Sequence, residues 1–209
     1  MEKQNVQAYR LSIADPTPLG LFGLAMVTLV ASSQKLGITD GTSLILPWAI
    51  FLGGIAQLIA SIQDSKHHNI FGATAFGAFG LFWMGVGTTW LIQAGVFGKT
   101  LAEAADPKQL GFAFIGYLIF SLFMTIGAME THKVLFLIFV FIDFLFLGLS
   151  LSSFGVMYDV THTIAGIAEL IISLLSFYGS AAVVLNTLVF GRTVLPIGQP
   201  ISLFYKAIK

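Results

Sequence analysis

Residues 134–154 read VLFLIFVFIDFLFLGLSLSSF, and the one charged side chain among them is Asp143. An α-helix rises about 1.5 Å per residue, so about 20 mostly apolar residues cross the roughly 30 Å of bilayer hydrocarbon. This run is long enough. It lacks the alternation of a membrane barrel strand, which is also only about ten residues long. Further windows of the same kind run from Pro18 to Leu36, Leu44 to Ile62, Ile70 to Ile92, Leu110 to Met129 and Thr163 to Phe190. The pattern predicts an all-α, polytopic membrane protein with six transmembrane helices per protomer. A single domain over 1–209 follows, with a polar N-terminal tail at 1–17 and a C-terminal tail at 191–209.

Composition agrees with that reading. Of 209 residues, 56% are hydrophobic and 10% charged. Soluble domains carry about 25% charged residues, so this chain lacks the means to cover a water-facing surface. A disordered chain is excluded by the same hydrophobicity. Ten Lys and Arg balance ten Asp and Glu, so there is no basic footprint for nucleic acid. With no cysteine, disulfides, thiolate metal sites and Cys nucleophiles are absent.

The first seventeen residues hold Glu2, Lys3, Arg10 and Asp15 and do not read as a signal peptide, so the first span is expected to be retained. With six spans both termini share one side. Lys3, Arg10, Lys66, Lys133, Arg192, Lys206 and Lys209 then face Lys35, Lys99 and Lys108 on the other. The positive-inside rule places both termini in the cytoplasm. The longest connection, Gln93 to Gln109, reads as a surface loop with a short amphipathic turn.

Polar groups at membrane depth are costly and are candidates for function by default. Asp143 and Glu169 are candidates for proton coupling. The competing readings are a hydrogen-bonded acid between helices or subunits for Asp143, and a snorkelling or water-facing acid for Glu169. Asp159 and His162 fall in the loop before the last span. Gln57, Thr74, Thr88 and Thr89 are candidate polar pathway residues. For the threonines the bland alternative is a bond to their own helix carbonyls. His67-His68 reads as solvated rather than metal-binding, and no cofactor or metal set is expected.

Asp15-Pro16-Thr17-Pro18-Leu19-Gly20-Leu21 opens the first span. Proline suits a first helical turn, and Asp15 or Thr17 can cap it. The positive end of the helix dipole makes this a candidate docking place for a carboxylate, the alternative being a plain capped start. There are 22 glycines, among them Gly20, Gly23, Gly53, Gly54, Gly72, Gly77 and Gly80, which read mainly as close helix packing. A few of the 20 Phe are expected to form a hydrophobic constriction.

Asp15–Leu21 resembles the N-P-A-P-L-G-L signature of the acetate uptake transporter family. Phe51 to Gln57 is similar to that family's second span. Asn69 to Phe76, with Phe82-Trp83, is similar to its third. Tyr178, Asn186 and Phe190 to Gly198 are similar to its C-terminal end. The resemblance runs in order over nearly the whole chain. It implies a six-helix protomer assembled as a homohexamer, with a pathway for acetate, and in some members succinate, in each protomer. It also implies a hydrophobic constriction, here Leu24, Phe79 and Leu145, with Gln57 lining the pore. Asp15 stands where the family has Asn. Leu24 and Phe79 stand where Phe and Tyr are common, so this neck is expected to be wholly apolar.

The function expected is therefore a permease or channel for acetate and related small carboxylates. It is not expected to be an enzyme, since no activated nucleophile or metal set stands out. The alternative is a channel for a neutral solute such as urea or ammonia.

Overall fold

The protein is described by a computed structural model over residues 14–202. Among these residues every regular element is helical. Helix α1 (Thr17–Lys35) is followed by a π-helical stretch, π1 (Trp48–Ala56), that runs directly into α2 (Gln57–Lys66). Then come α3 (Ile70–Gln93), the short α4 (Lys99–Glu103), α5 (Pro107–Ala128), α6 (Lys133–Ser153) and α7 (Tyr158–Val184), which ends in π2 (Leu185–Val189). The polar tail residues Glu2, Lys3, Arg10, Lys206 and Lys209, on which the charge count partly rested, lie outside the described residues.

Five helices are long and apolar enough to cross a membrane: Thr17–Lys35, Ile70–Gln93, Pro107–Ala128, Lys133–Ser153 and Tyr158–Thr187. The expected second span, Leu44 to Ile62, departs from a plain α-helix. Its first half is π-helical, and its second half runs on through the polar residues Gln63, Asp64, Ser65 and Lys66. A wider π turn is tolerated where side chains or backbone must be re-aimed. Here it contains Gly53-Gly54, and Gln57 Nε2 donates to the Gly53 carbonyl at 2.8 Å. The last span also begins earlier than expected: Asp159 and His162 lie in the first turns of α7, not in a loop.

The helices surround a common axis. α1 packs on α7, α7 on α6 and α6 on α5, while π1 and α2 pack on α1 and α3. The α3–α5 side is closed by rings, Phe82 against Tyr117 at 4.9 Å and Phe79 against Tyr117 at 6.3 Å. Large apolar side chains such as Phe51, Leu81, Phe112 and Phe123 point outward, as a hydrocarbon surrounding requires.

Glycines set the close approaches. A Cβ on Gly23 would strike the Leu52 backbone carbonyl, and one on Gly20 would strike the Phe76 ring. A Cβ on Gly53 would lie 2.7 Å from Trp83 Cγ. At Gly77 it would lie 2.9 Å from Ser61 Oγ, whose hydroxyl donates to the Ala73 carbonyl at 2.7 Å. Gly85 and Gly116 face open space.

The C-terminal segment folds back on the bundle. Asn186 Oδ1 accepts from the Val194 and Leu195 N–H groups at 2.7 and 2.9 Å, and its Nδ2 donates to the Leu195 carbonyl. The Tyr178 hydroxyl donates to the Pro196 carbonyl at 2.8 Å, and Val134 N–H donates to the Ile197 carbonyl. The residues that carry the resemblance at this end thus form a clasp. Beside it, His132 caps α6 by accepting the Leu135 N–H on Nδ1 at 3.2 Å. Burial lowers the His132 pKa below its ordinary 6.5.

Gly23→Ala is expected to destabilise the protein by about 1–3 kcal/mol through overpacking, whereas Gly116→Ala stays within about 0.5 kcal/mol; thermal unfolding in detergent compares them. His132 generates a pH prediction. Its folded pKa is depressed, so the stability it contributes is complete above about pH 6.5 and is lost as pH falls through the lowered folded value. Protonation would remove the Nδ1 acceptor and place a cation at a helix N-terminus. His132→Asn keeps a capping acceptor without titrating, so its melting temperature is expected to fall less steeply below pH 6.5 than that of the wild type.

Candidate functional site

Two cavities lie end to end along the bundle axis. The first, about 230 Å3, opens where α1, α3 and α6 begin and α2 ends. Its polar lining comprises Thr17, Gln57, Asp64, Asn69, Thr131 and His132. The second, about 150 Å3, sits at the opposite end, where α1 and α6 finish and α5 and α7 begin. Gln34, Lys35, Thr89, His162 and Glu169 contribute its polar lining, with Trp90 and Phe114 among the apolar side chains.

Between them is a void of about 10 Å3 bordered by Leu24, Phe79, Leu145, Ile142, Phe82 and Trp83, among others. Leu24, Phe79 and Ile142 also border the first cavity, and Phe82 and Trp83 also border the second. A space of this size is at the lower limit for one water molecule, about 10–15 Å3. The void is therefore shut, and its lining is apolar apart from Thr28, whose hydroxyl donates to the Leu24 carbonyl at 2.7 Å. Leu24, Phe79 and Leu145, expected to lie together, do border the same void, and each is at most 6% exposed. Sequence reasoning missed Phe82, Ile142 and Phe146. The available signal was helical spacing, since Phe82 follows Phe79 by three residues and Ile142 precedes Leu145 by three.

Phe79 is held by other rings. Phe146 stacks on it at 6.2 Å, and Phe120 and Phe139 lie at 5.7 and 5.9 Å. Tyr117, the fourth neighbour, donates its hydroxyl to the Ala78 carbonyl at 3.0 Å and so turns its polar end away from the neck. Rotation of Phe79 would break several aromatic contacts, each worth about 0.5–1.5 kcal/mol beyond area burial. Leu24 and Leu145 are the side chains freer to move.

The polar candidates sort clearly. Gln57 is fully buried and borders the first cavity, with Nε2 on Gly53 and Oε1 unpartnered among the described residues. Asp64, missed in the sequence, is 2% exposed and accepts from Asn69 Nδ2 at 3.0 Å, leaving Oδ2 unpartnered. Gly72 provides its room, because a Cβ there would strike that same oxygen. Thr74 and Thr88 are exposed and border neither cavity. Thr88 donates to the Met84 carbonyl at 2.7 Å, the bland alternative considered for it. Thr89, one position on and turned by about 100°, lines the second cavity instead.

At the signature helix start, Asp15 Oδ1 accepts the Thr17 N–H at 2.9 Å, so the helix end is occupied by the chain's own carboxylate. Pro16 precedes the helix and the Pro18 carbonyl accepts from Ser180 Oγ at 2.8 Å. Leu19 points outward, and Gly20 admits the Phe76 ring. This segment positions the mouth of the first cavity more than it offers free donors.

The two membrane acids differ. Asp143 borders neither cavity; it faces α5, where the Thr125 hydroxyl donates to its Oδ2 at 2.8 Å, and Oδ1 is unpartnered among the described residues. Glu169 is 1% exposed and ion-paired with Lys35 at 2.9 Å. It does not snorkel to water, because a cation reaches it inside the bundle.

Comparison with known proteins fits this geometry. A model of the GPR1/FUN34/yaaH family matches residues 1–196. The succinate-acetate/proton symporter SatP of Escherichia coli (strain K12) is 34% identical over 187 residues, covering 90% of this chain and 96% of that protein. Ammonia transport outward protein 2 of Saccharomyces cerevisiae is 31% identical over 173 residues, covering 81% of this chain and 61% of that protein. The solved structure of the bacterial acetate channel SatP superposes with a TM-score of 0.83 at 34% identity, over 90% of this chain and all of that one. These relatives are transporters and channels, not enzymes. The family resemblance read from Asp15–Leu21 and the later segments holds: the chain belongs to the GPR1/FUN34/yaaH family.

Proposed function

We propose that the protein carries acetate, and by similarity to the symporter also succinate or other small carboxylates, across the plasma or inner membrane. The single observation that carries this is the pair of partly polar cavities joined end to end at a shut apolar neck. An acid of pKa about 4–5 is almost wholly ionised at neutral pH. The bare ion cannot enter hydrocarbon, because losing its hydration costs far more than any apolar contact returns. The two cavities keep the carboxylate solvated on either side, and the neck shortens the dry stretch to a few side chains. Gln57 and Asp64 serve the first cavity, Thr89 and Lys35 the second, and Leu24, Phe79 and Leu145 meet the methyl group in between. A proton travelling with the acid lowers the cost of the neck by removing the charge.

The proposal includes a single domain over 1–209 with six spans, the sixth being the helical segment 46–66, which occupies its own place around the axis. It also includes cytoplasmic termini, which the Lys and Arg count supports, and a homohexamer, which the family resemblance supports. Asp143 is assigned to the α5–α6 contact rather than to coupling, because it borders neither cavity. A urea or ammonia channel is less favoured. The relative matched over nearly its whole length and the solved structure both name acetate. A lysine at the second cavity is also not needed for a neutral solute.

Purified protein in proteoliposomes is expected to take up labelled acetate faster with an inward proton gradient than without one; selective urea flux with no acetate uptake would overturn the proposal. Leu24→Ala widens the neck and is expected to raise acetate uptake about tenfold, equivalent to ~1.4 kcal/mol off the barrier. Asp143→Asn is expected to leave the pH dependence of uptake unchanged.

A further inference from the structure

We propose that Lys35 and Glu169 form an exchangeable carboxylate site in the second cavity, where a solute carboxylate takes the place of Glu169 on Lys35 while Glu169 accepts a proton. This rests on the carboxylate reading above and adds to it a location and a proton acceptor.

The pair is buried and yet borders the cavity. Lys35 Nζ lies 2.9 Å from Glu169 Oε2, with the two side chains 10% and 1% exposed. The space beside them is about 150 Å3. The site is also built. Gly166, one turn before Glu169, has no side chain, and a Cβ there would lie 3.0 Å from Lys35 Cβ. The lysine stem therefore lies against the α7 backbone. Lys35 ends α1, where the negative end of the helix dipole favours a cation with or without a partner carboxylate.

Charge counting supplies the mechanism. With no solute, Lys35⁺ and Glu169⁻ cancel. If a solute carboxylate joined them unaccompanied, a net negative charge would be left beside a buried ion pair, which is unfavourable. If Glu169 is protonated as the solute binds, the cavity again holds one cation and one anion. The solute carboxylate and the glutamate carboxylate are chemically equivalent partners for Lys35, so the exchange loses no charge-assisted hydrogen bond. The step balances: an O–H bond forms on Glu169, and its proton comes from hydronium or a buffer acid of the aqueous phase, whose own bond to that proton breaks, when the solute arrives as the anion, or from the O–H of the solute itself when it arrives as the acid. No covalent bond to the solute is made.

The other groups facing this cavity are few. Gln34 and Thr89 are neutral, and His162, two turns before Glu169 on α7, stacks on Tyr158 with ring centroids 5.1 Å apart. Among the described residues, Lys35 is the one Lys or Arg bordering either cavity or the neck. The first cavity offers Asp64 and His132 but no lysine or arginine. The two ends of the pathway therefore differ in chemistry, and the strong anion station belongs to the second.

The test is calorimetric titration of the full-length detergent-solubilised protein with acetate at neutral pH, in two buffers of different ionisation enthalpy. The wild type is expected to take up one proton per acetate bound, so its Kd rises about tenfold for each unit of pH. Glu169→Gln is expected to bind acetate with no proton uptake and with a Kd that no longer follows pH. Lys35→Met is expected to weaken binding by at least about tenfold, and Lys35→Arg to restore it. Wild-type binding without proton uptake overturns the inference, and that measurement needs no variant to fold. A Glu169→Gln protein that keeps the wild-type proton uptake overturns it equally. If either result is found while proteoliposomes still accumulate acetate, the transport reading stands and this site falls. If the wild type neither binds nor carries acetate, both fall.

Discussion

A polar atom inside hydrocarbon has no water to turn to, so each must find its partner within the bundle. The helix contacts of this protein follow from that requirement. Ser173 on α7 donates to the Ala25 carbonyl of α1, and Ser180 to that of Pro18. Ser61 joins α2 to α3, Tyr117 joins α5 to α3, and Thr125 joins α5 to Asp143 on α6. Lys35 and Glu169 join α1 to α7 as an ion pair. Lipid supplies no hydrophobic force between helices, so these bonds and close glycine contacts decide which faces meet. Two of the acceptors left over, Gln57 Oε1 and Asp64 Oδ2, belong to residues that border the first cavity.

The same packing explains why the neck is both shut and stiff on one side. Gly20 and Gly53 bring the Phe76 and Trp83 side chains close to α1 and π1, and on the same helix Phe79 meets the rings of Phe120 on α5 and of Phe139 and Phe146 on α6. A wall of interlocked rings has few alternative arrangements at native packing density. The aliphatic members, Leu24 on α1 and Leu145 on α6, border the void without ring contacts to lose on changing rotamer. Phe79 carries no hydroxyl that would need a partner at this void. The phenol that is present, Tyr117, finds its partner in the Ala78 carbonyl outside it.

Much of the fold was legible in the residues, because a bilayer imposes a length and a polarity that composition reports directly. Runs such as 134–154 and 70–92 emerged as α6 and α3 within one residue at each end. The segment Leu44 to Ile62 was read as one more such helix, and there the reading was incomplete. Hydropathy registers a greasy run but is blind to a change from α to π turns, which depends on how Gly53-Gly54 and Gln57 are engaged by neighbours. Of the neck, Leu24, Phe79 and Leu145 came from the family resemblance and not from periodicity. Of the polar candidates, Gln57 and Thr89 border a cavity and Thr74 and Thr88 do not, while Asp64, which does, was not among them.

By itself the sequence determined the membrane class, the helical content and the family, because these depend on local composition and on residues adjacent in the chain. The tertiary structure decided which side of each helix faces the axis. A helix apolar on every side carries no stripe from which its rotation can be read. It also decided the pairing of Lys35 with Glu169, 134 positions apart. No periodicity links such residues; the contact of α1 with α7 brings each buried charge to its counter-ion.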